Sequence, residues 1–179
     1  EWYRVRKMHV TASQVWRLLG SGSEEKRLNR YIDAVNIQKP INQKMQHGID
    51  NEDAAGKLFM DLKLVRRAVD LETCGLIRHP NHSGVAASPD ALLLDKAGHC
   101  IACLEIKCPS GALKDKPDSR YIEQLKYQLE VCQVSTGYLF EARIESGSLL
   151  EWRSTKVLRD QDHFNNDVLP MVKRALKYK

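Results

Sequence analysis

The sequence predicts an α/β protein with a central mixed sheet flanked by helices, and three observations carry that expectation. Apolar residues recur at helical spacing through the first third, whereas the middle third alternates and is rich in β-branched residues. One long helical segment then separates two groups of strands, and a last helical segment closes the chain. Turns containing Gly, Pro, Asn or Asp punctuate the pattern at each change of period. With 179 residues the chain reads as a single domain, 1–179, large enough to bury a real core.

Residues 11–19 are expected to form a short helix with apolar Val15, Trp16, Leu18 and Leu19, broken by Gly20-Ser21-Gly22. Ser23, followed by Glu24 and Glu25, is an N-cap with first-turn acids and opens a helix to about residue 37. A third helix is expected over 42–60, with Met45, Ile49, Ala55 and Phe59 facing the core, although Gly48 and Gly56 weaken it. Strands are expected over 64–71, 74–78, 85–94 and 100–107, with turns at 79–84 and 95–98. A helix over 119–133, strands over 137–144 and 149–157, and a helix over 160–177 complete the reading.

Formal charge is +5, a mild basicity that suits a nucleic-acid partner without requiring one. No stretch approaches the roughly 18 consecutive apolar residues of a membrane span, and residues 1–6 lack the apolar run of a signal peptide. Five cysteines, an odd number, fit reduced thiols and hence an intracellular setting, cytoplasmic or in a host nucleus for a viral or eukaryotic source. Cys100 and Cys103, with Cys108 nearby, invite a metal-cluster reading. On a strand, however, residues three apart face opposite sides, which favours ordinary thiol packing. The six histidines show no shared ligand spacing. Trp2 and Tyr3 are expected to pack the N-terminus, and Lys173, Arg174, Lys177 and Lys179 to form a solvated basic helix end.

The chemistry concentrates in two strands. Asp90 follows Ser88-Pro89, while Glu105 and Lys107 are two apart on the next strand and share a face. If the strands pair as a hairpin, Asp90 reaches the same place. Two carboxylates brought together repel unless a cation lies between them, and oxygen ligands favour Mg²⁺ or Mn²⁺. A lysine beside such an ion can orient a water and stabilise a phosphorane-like transition state. The competing reading is a solvated Glu-x-Lys pair of little energetic meaning. Apolar flanks (Leu92, Leu93, Leu94, Ile101, Leu104 and Ile106) count against it.

Asp90 followed by Glu105-x-Lys107 resembles the signature of the PD-(D/E)xK nuclease superfamily, whose fold is a restriction-endonuclease-like core. The wider pattern resembles its lambda exonuclease, or YqaJ-type viral recombinase, branch. It comprises Arg6 with Thr11-Ala12-Ser13, then Gly48 to Glu52, Ser88-Pro89-Asp90-Ala91, Leu104-Glu105-Ile106-Lys107-Cys108-Pro109 and Tyr121-x-x-Gln124 with Gln128, in that order. The resemblance spans about residues 2–140 and implies a catalytic set of Asp90, Glu105, Lys107, Glu52 and Gln124. It implies Asp90, Glu105, the Ile106 carbonyl and Glu52 as ligands for one or two Mg²⁺ or Mn²⁺ ions. Arg6, Ser13 and Thr11 would hold a 5′-phosphate, and Tyr121 and Gln128 would contact the DNA. Without it, Arg6 is a surface residue, Ser13 an N-cap and Glu52 a surface acid. Two positions depart from the branch: Ala91 stands for its usual Gly, and Lys126 for a frequent Gln, adding an expected phosphate contact.

The implied activity is 5′-to-3′ hydrolysis of one strand of linear duplex DNA in recombination or repair. A homotrimer and a single-strand annealing protein are further expected partners. An endonuclease or RNA-acting nuclease with the same core, and a catalytically idle nucleic-acid-binding module, are the alternatives the residues leave open.

Overall fold

A computed structural model describes residues 8–37 and 40–178. In chain order these form β1 (Val10–Thr11), α1 (Ala12–Val15) running into a 3-10 turn (Trp16–Leu18), α2 (Glu24–Asn36) and α3 (Gln43–Asp61). There follow β2 (Asp70–Glu72), β3 (Ile77–Arg78), β4 (Val85–Ala87), β5 (Ala91–Leu94), β6 (Cys100–Lys107) and α4 (Ser119–Cys132). β7 (Thr136–Glu145) and β8 (Ser148–Leu158) precede a terminal helix built from α5 (Gln161–His163), a π-helical turn (Phe164–Val168) and α6 (Leu169–Leu176).

The main sheet has the order β2-β5-β6-β7-β8 and is mixed, because only β6 and β7 run parallel. That parallel pair needs a crossover, which α4 supplies. A smaller sheet, β1-β4-β3, lies apart from it. On one side of the main sheet α3 packs Ala55 and Phe59 against Leu93, Leu104, Ile106 and Phe140. On the other, Leu125 and Leu129 of α4 pack against Cys103, Leu139 and Val157. The far side of α4 carries Tyr127 and Val131 into a second core with α1, α2, the small sheet and the terminal helix. Tyr127 anchors it by donating to the Val10 carbonyl at 2.9 Å.

Helix ends follow the sequence closely: Ser23, Asn42 and Asp118 each accept a hydrogen bond from a first-turn N–H. No helix among the described residues is long and apolar enough to cross a membrane.

Four expectations are corrected. The strand expected over 64–71 is real only at Asp70–Glu72, and that over 85–94 is two strands in different sheets. Pro89 lacks the N–H a continuous ladder would use. Met45 and Ile49 are half-exposed, at 50% and 53%, and only the C-terminal half of α3 is packed. Cys100 and Cys103 pack into one cluster with Cys132 rather than on opposite faces. The β5–β6 ladder slips between Leu93 and Leu94, which leaves Ile101 as an extra residue and reverses the phase. All five cysteines are free thiols. The last helix is continuous in direction but widens before Pro170, whose ring has no N–H to donate backwards.

Candidate active site

β5 and β6 form the expected antiparallel hairpin, and its last rung is Ala91 opposite Leu104. Beyond that rung β6 has lost its neighbour on one edge. Asp90 occupies the gap: its Oδ2 accepts the Ile106 N–H at 2.6 Å, replacing the bond a further β5 residue would have made. A strand residue's N–H and C=O point to the same side, so the Ile106 carbonyl faces Asp90 as well. Behind Asp90 the corner is braced, since Ser88 Oγ donates to the Gly75 carbonyl and Cys74 Sγ to the Pro89 carbonyl. Ala91 sits in ordinary extended backbone, so this corner does without the glycine of the family pattern.

Glu105 and Lys107 share the α4 face of β6, as their spacing requires. Glu105 is fully buried and its carboxylate is the hub of a network. Its Oε1 accepts from Lys107 Nζ and, at 2.5 Å, from Gln124 Nε2, while Oε2 accepts from Gln128 Nε2 at 2.5 Å. Gln124 and Gln128 are one turn apart on α4, so a single helix face delivers both amides. The close seat of α4 has a local cause at Gly137 of β7. A Cβ there would lie 2.8 Å from a Leu125 methyl and 2.9 Å from a Leu129 methyl, so both buried side chains would have to shift for the helix to keep this depth. Tyr121 places its ring 5.2 Å from the Lys107 ammonium, a cation–π contact.

On the opposite side of the sheet, α3 brings Glu52 to a groove of about 520 Å³ whose lining includes Asp90 and Ile106. Gly56, one turn on, faces Ile106 and Leu71, both 3.5 Å from where a Cβ would be, an ordinary contact distance. Among the described residues no hydrogen bond or ion pair holds the Glu52 carboxylate, yet it feels Lys107 and Glu105 electrostatically. Burial, and then Glu105, push Asp90 up to about 8, and burial also raises Glu52. Burial alone would lower Lys107, but Glu105 and Asp90 outweigh it and keep the ammonium protonated.

The residues present fit a hard divalent cation. Among the described residues no three His, Cys, Asp or Glu side chains form a ready ligand cage. Mg²⁺ does not ask for one, because it typically takes one or two carboxylates and keeps several waters. Two recessed carboxylates, one of them held up by the other's charge, are what such an ion relieves. Each carboxylate oxygen can accept two bonds. Asp90 Oδ1 and one lone pair of Glu105 Oε2 are therefore open, and Gln128 Oε1 beside them is buried without a partner.

The structure thus brings together Asp90, Glu105, Lys107, Gln124, Gln128 and Tyr121, with Glu52 within electrostatic reach. Thr11 and Ser13 come from the β1–α1 junction, which packs against α4, and Thr11 rather than Ser13 is the N-cap residue. Arg6, with Trp2 and Tyr3, lies outside the described residues. Lys126 is paired with the partly exposed Asp160 at 3.1 Å. Arg174, expected as a solvated basic end, is paired with Glu24. Sequence reasoning missed the Cys74–Gly75 brace and the Gly137 notch, for which the only local signal is a Gly beginning an otherwise apolar strand.

A comparison with curated protein sequences found no significant match. Solved structures do resemble this one. The alkaline exonuclease LHK-Exo from Laribacter hongkongensis superposes with a TM-score of 0.74 at 23% identity, over 99% of this chain and 90% of that one. The same exonuclease in complex with dAMP gives 0.72 at 22% identity, over 99% and 94%. A phage-related exonuclease from Haemophilus somnus 129PT gives 0.70 at 14% identity, over 95% and 92%. At these identities the likeness establishes the fold, which is the expected restriction-endonuclease-like core. The sequence goes further, because residues 1–138, most of the chain, match the YqaJ-like viral recombinase domain, and the protein belongs to that family.

Proposed function

We propose that this protein is a metal-dependent DNA exonuclease that degrades one strand of linear duplex DNA from its 5′ end. The observation that carries the reading is the convergence of Asp90, Glu105 and Lys107 at the unpaired edge of β6, locked by Gln124 and Gln128. Asp90, Glu105, the Ile106 carbonyl and Glu52 are the groups that would hold one or two Mg²⁺ or Mn²⁺ ions. When bound, such an ion supplies Lewis-acid stabilisation of the phosphodiester and of the leaving oxygen.

The chain's own residues do the rest. Lys107, protonated and aimed by Glu105, offers a fixed positive charge to the phosphorane-like transition state and orients the attacking water. Gln124 and Gln128 fix the Glu105 carboxylate so that its geometry costs no reorganisation during the reaction. Tyr121 limits the sweep of the lysine. The open side is the groove along α3, through which a phosphodiester reaches Asp90. Ser13 and Thr11, with Arg6, are proposed for the terminal 5′-phosphate, on the strength of the family pattern. The solved relatives described as exonucleases, one of them with dAMP, support end-directed cleavage that yields mononucleotides.

The test compares 5′-phosphorylated linear duplex, 5′-hydroxyl linear duplex, covalently closed circular DNA and RNA, each with and without Mg²⁺. The reading expects mononucleotide release from the first substrate, only with metal, and slower release from the second. Cutting of closed circles would overturn end-dependence, and equal rates in a chelator would overturn the metal.

A further inference from the structure

One charged cluster plays no part in the network around Glu105. Trp16 lies in the 3-10 turn after α1, and two guanidiniums gather on its indole. Arg17 Cζ is 4.3 Å and Arg120 Cζ 5.3 Å from the ring centroid. Arg30 approaches from α2, where its Nη2 donates to the Ser21 carbonyl at 3.2 Å. Burial, together with the Arg120 and Arg30 charges, lowers Arg17 below its ordinary value, which marks all three as close neighbours. Among the described residues Arg120 alone of the three has an acidic partner: Asp118 takes its guanidinium at 2.9 and 2.6 Å and orients it. Among the described residues Arg17 and Arg30 pair with no carboxylate. Arg17 is bonded to the neutral Gln14 side chain at 2.8 Å.

Three like charges held within one another's field, with one carboxylate among them, cost energy that an anion would return. The indole holds Arg17 and Arg120 and the Asp118 fork orients Arg120, so a ligand meets these two donors already in position. The placement points to the ligand. Arg17 lies four residues past Ser13, and Arg120 immediately precedes Tyr121, whose ring touches Lys107. The cluster therefore bridges the two elements that the nuclease reading turns toward substrate.

We infer that Arg17 and Arg120, gathered on Trp16, together with the neighbouring Arg30, bind backbone phosphates of the DNA substrate outside the catalytic centre. This rests on the nuclease reading and deepens it. The contact carries no base information, so it holds the duplex in register for successive cleavages without sequence preference.

The experiment measures binding of a labelled 5′-phosphorylated duplex by fluorescence anisotropy, with Ca²⁺ replacing Mg²⁺ to block cleavage, between roughly 50 and 200 mM salt. Each lost phosphate contact should flatten the slope of log K against log salt by about 0.9. R17Q/R30Q is expected to flatten it by about 1–2 units and to weaken low-salt binding about tenfold or more. R30Q alone, at an exposed position, should lose about half of that slope change and keeps the test valid should Arg17→Gln misfold. Lys96→Gln, in the remote turn before β6, should match wild type. Wild-type affinity and slope in both arginine variants would overturn the cluster while leaving the nuclease reading intact. Wild-type protein that neither binds nor degrades DNA would instead overturn that reading itself.

Discussion

The two helices that clamp β6 are held by different physics. α4 meets the strand through a polar hub, with Gln124 and Gln128 bonded to a fully buried Glu105, and its Leu125 and Leu129 use the space left by Gly137. α3 meets the opposite face through apolar contact alone, along Ala55 and Phe59, while its N-terminal half leaves Met45 and Ile49 half in solvent. The residue each contributes differs accordingly. Gln124 and Gln128 are fixed by directional bonds, whereas Glu52 has no hydrogen-bond or ion-pair partner among the described residues. A site of this kind has one rigid wall and one that can adjust to substrate or ion.

The sharpest way to break that contrast is at the hub. Glu105→Gln and Lys107→Ala should each lower the DNA degradation rate about 10²–10⁴-fold at saturating Mg²⁺, because each removes a preorganised charge. Release of acid-soluble nucleotides measures this, and an unchanged rate in either variant removes the rigid wall from the mechanism. On the α3 side the stability should sit in its C-terminal half. Phe59→Ala, at a buried ring with edge contact to Phe140, should cost about 3–5 kcal/mol in urea unfolding. Met45→Gln and Ile49→Gln should each stay within about 0.5 kcal/mol of wild type.

Next in size are the two glycines. Gly137→Ala forces a methyl to within 3 Å of Leu125 and Leu129 and should destabilise by about 1–3 kcal/mol. It should also slow catalysis, since lifting α4 lengthens both amide bonds to Glu105. Gly56→Ala places its methyl at ordinary contact distance in a helix interior, and should be neutral or stabilising by up to about 1 kcal/mol. Equal losses at the two positions would erase the distinction between the faces.

The smallest effect concerns how the terminal helix braces α4. His163 bonds Glu123 and Asp167, each at 2.9 Å, with Asp160 and Lys126 nearby. Burial and Lys126 act to lower it, but the two carboxylates prevail and raise it above its ordinary 6.5. Its folded value is the higher one, so the stabilisation is complete below the unfolded value and fades as pH rises through the folded value. These partners are partly exposed, so the difference should be under about 1 kcal/mol. His163→Gln should flatten the urea midpoint between about pH 6 and pH 8. A wild-type midpoint already flat over that window would dismiss the brace.

The parts legible in sequence were those written in local period or in one contiguous motif. Ser23 marks its helix start as a cap does, and Glu105-x-Lys107 announces a shared face. The break at Ser88-Pro89-Asp90 was only half legible. The proline was visible, but not that β4 and β5 pair with different partners, because pairing depends on residues far along the chain. The ladder slip beside Ile101 defeated the alternation rule that placed Cys100 and Cys103 apart. Met45 and Ile49 misled for a related reason: helical spacing identifies a face but not what covers it.

Ile106 lives a double life, its side chain against Gly56 in the apolar layer and its main chain beside Asp90. The chemistry there draws on atoms that every amino acid except proline possesses. A saturation scan of β6 should therefore read as a stripe. Positions 104 and 106 should accept aliphatic replacements of similar volume, while 105 and 107 should accept almost none. Selection at position 106 would then act on packing alone, and drift there would leave the carboxylate edge untouched.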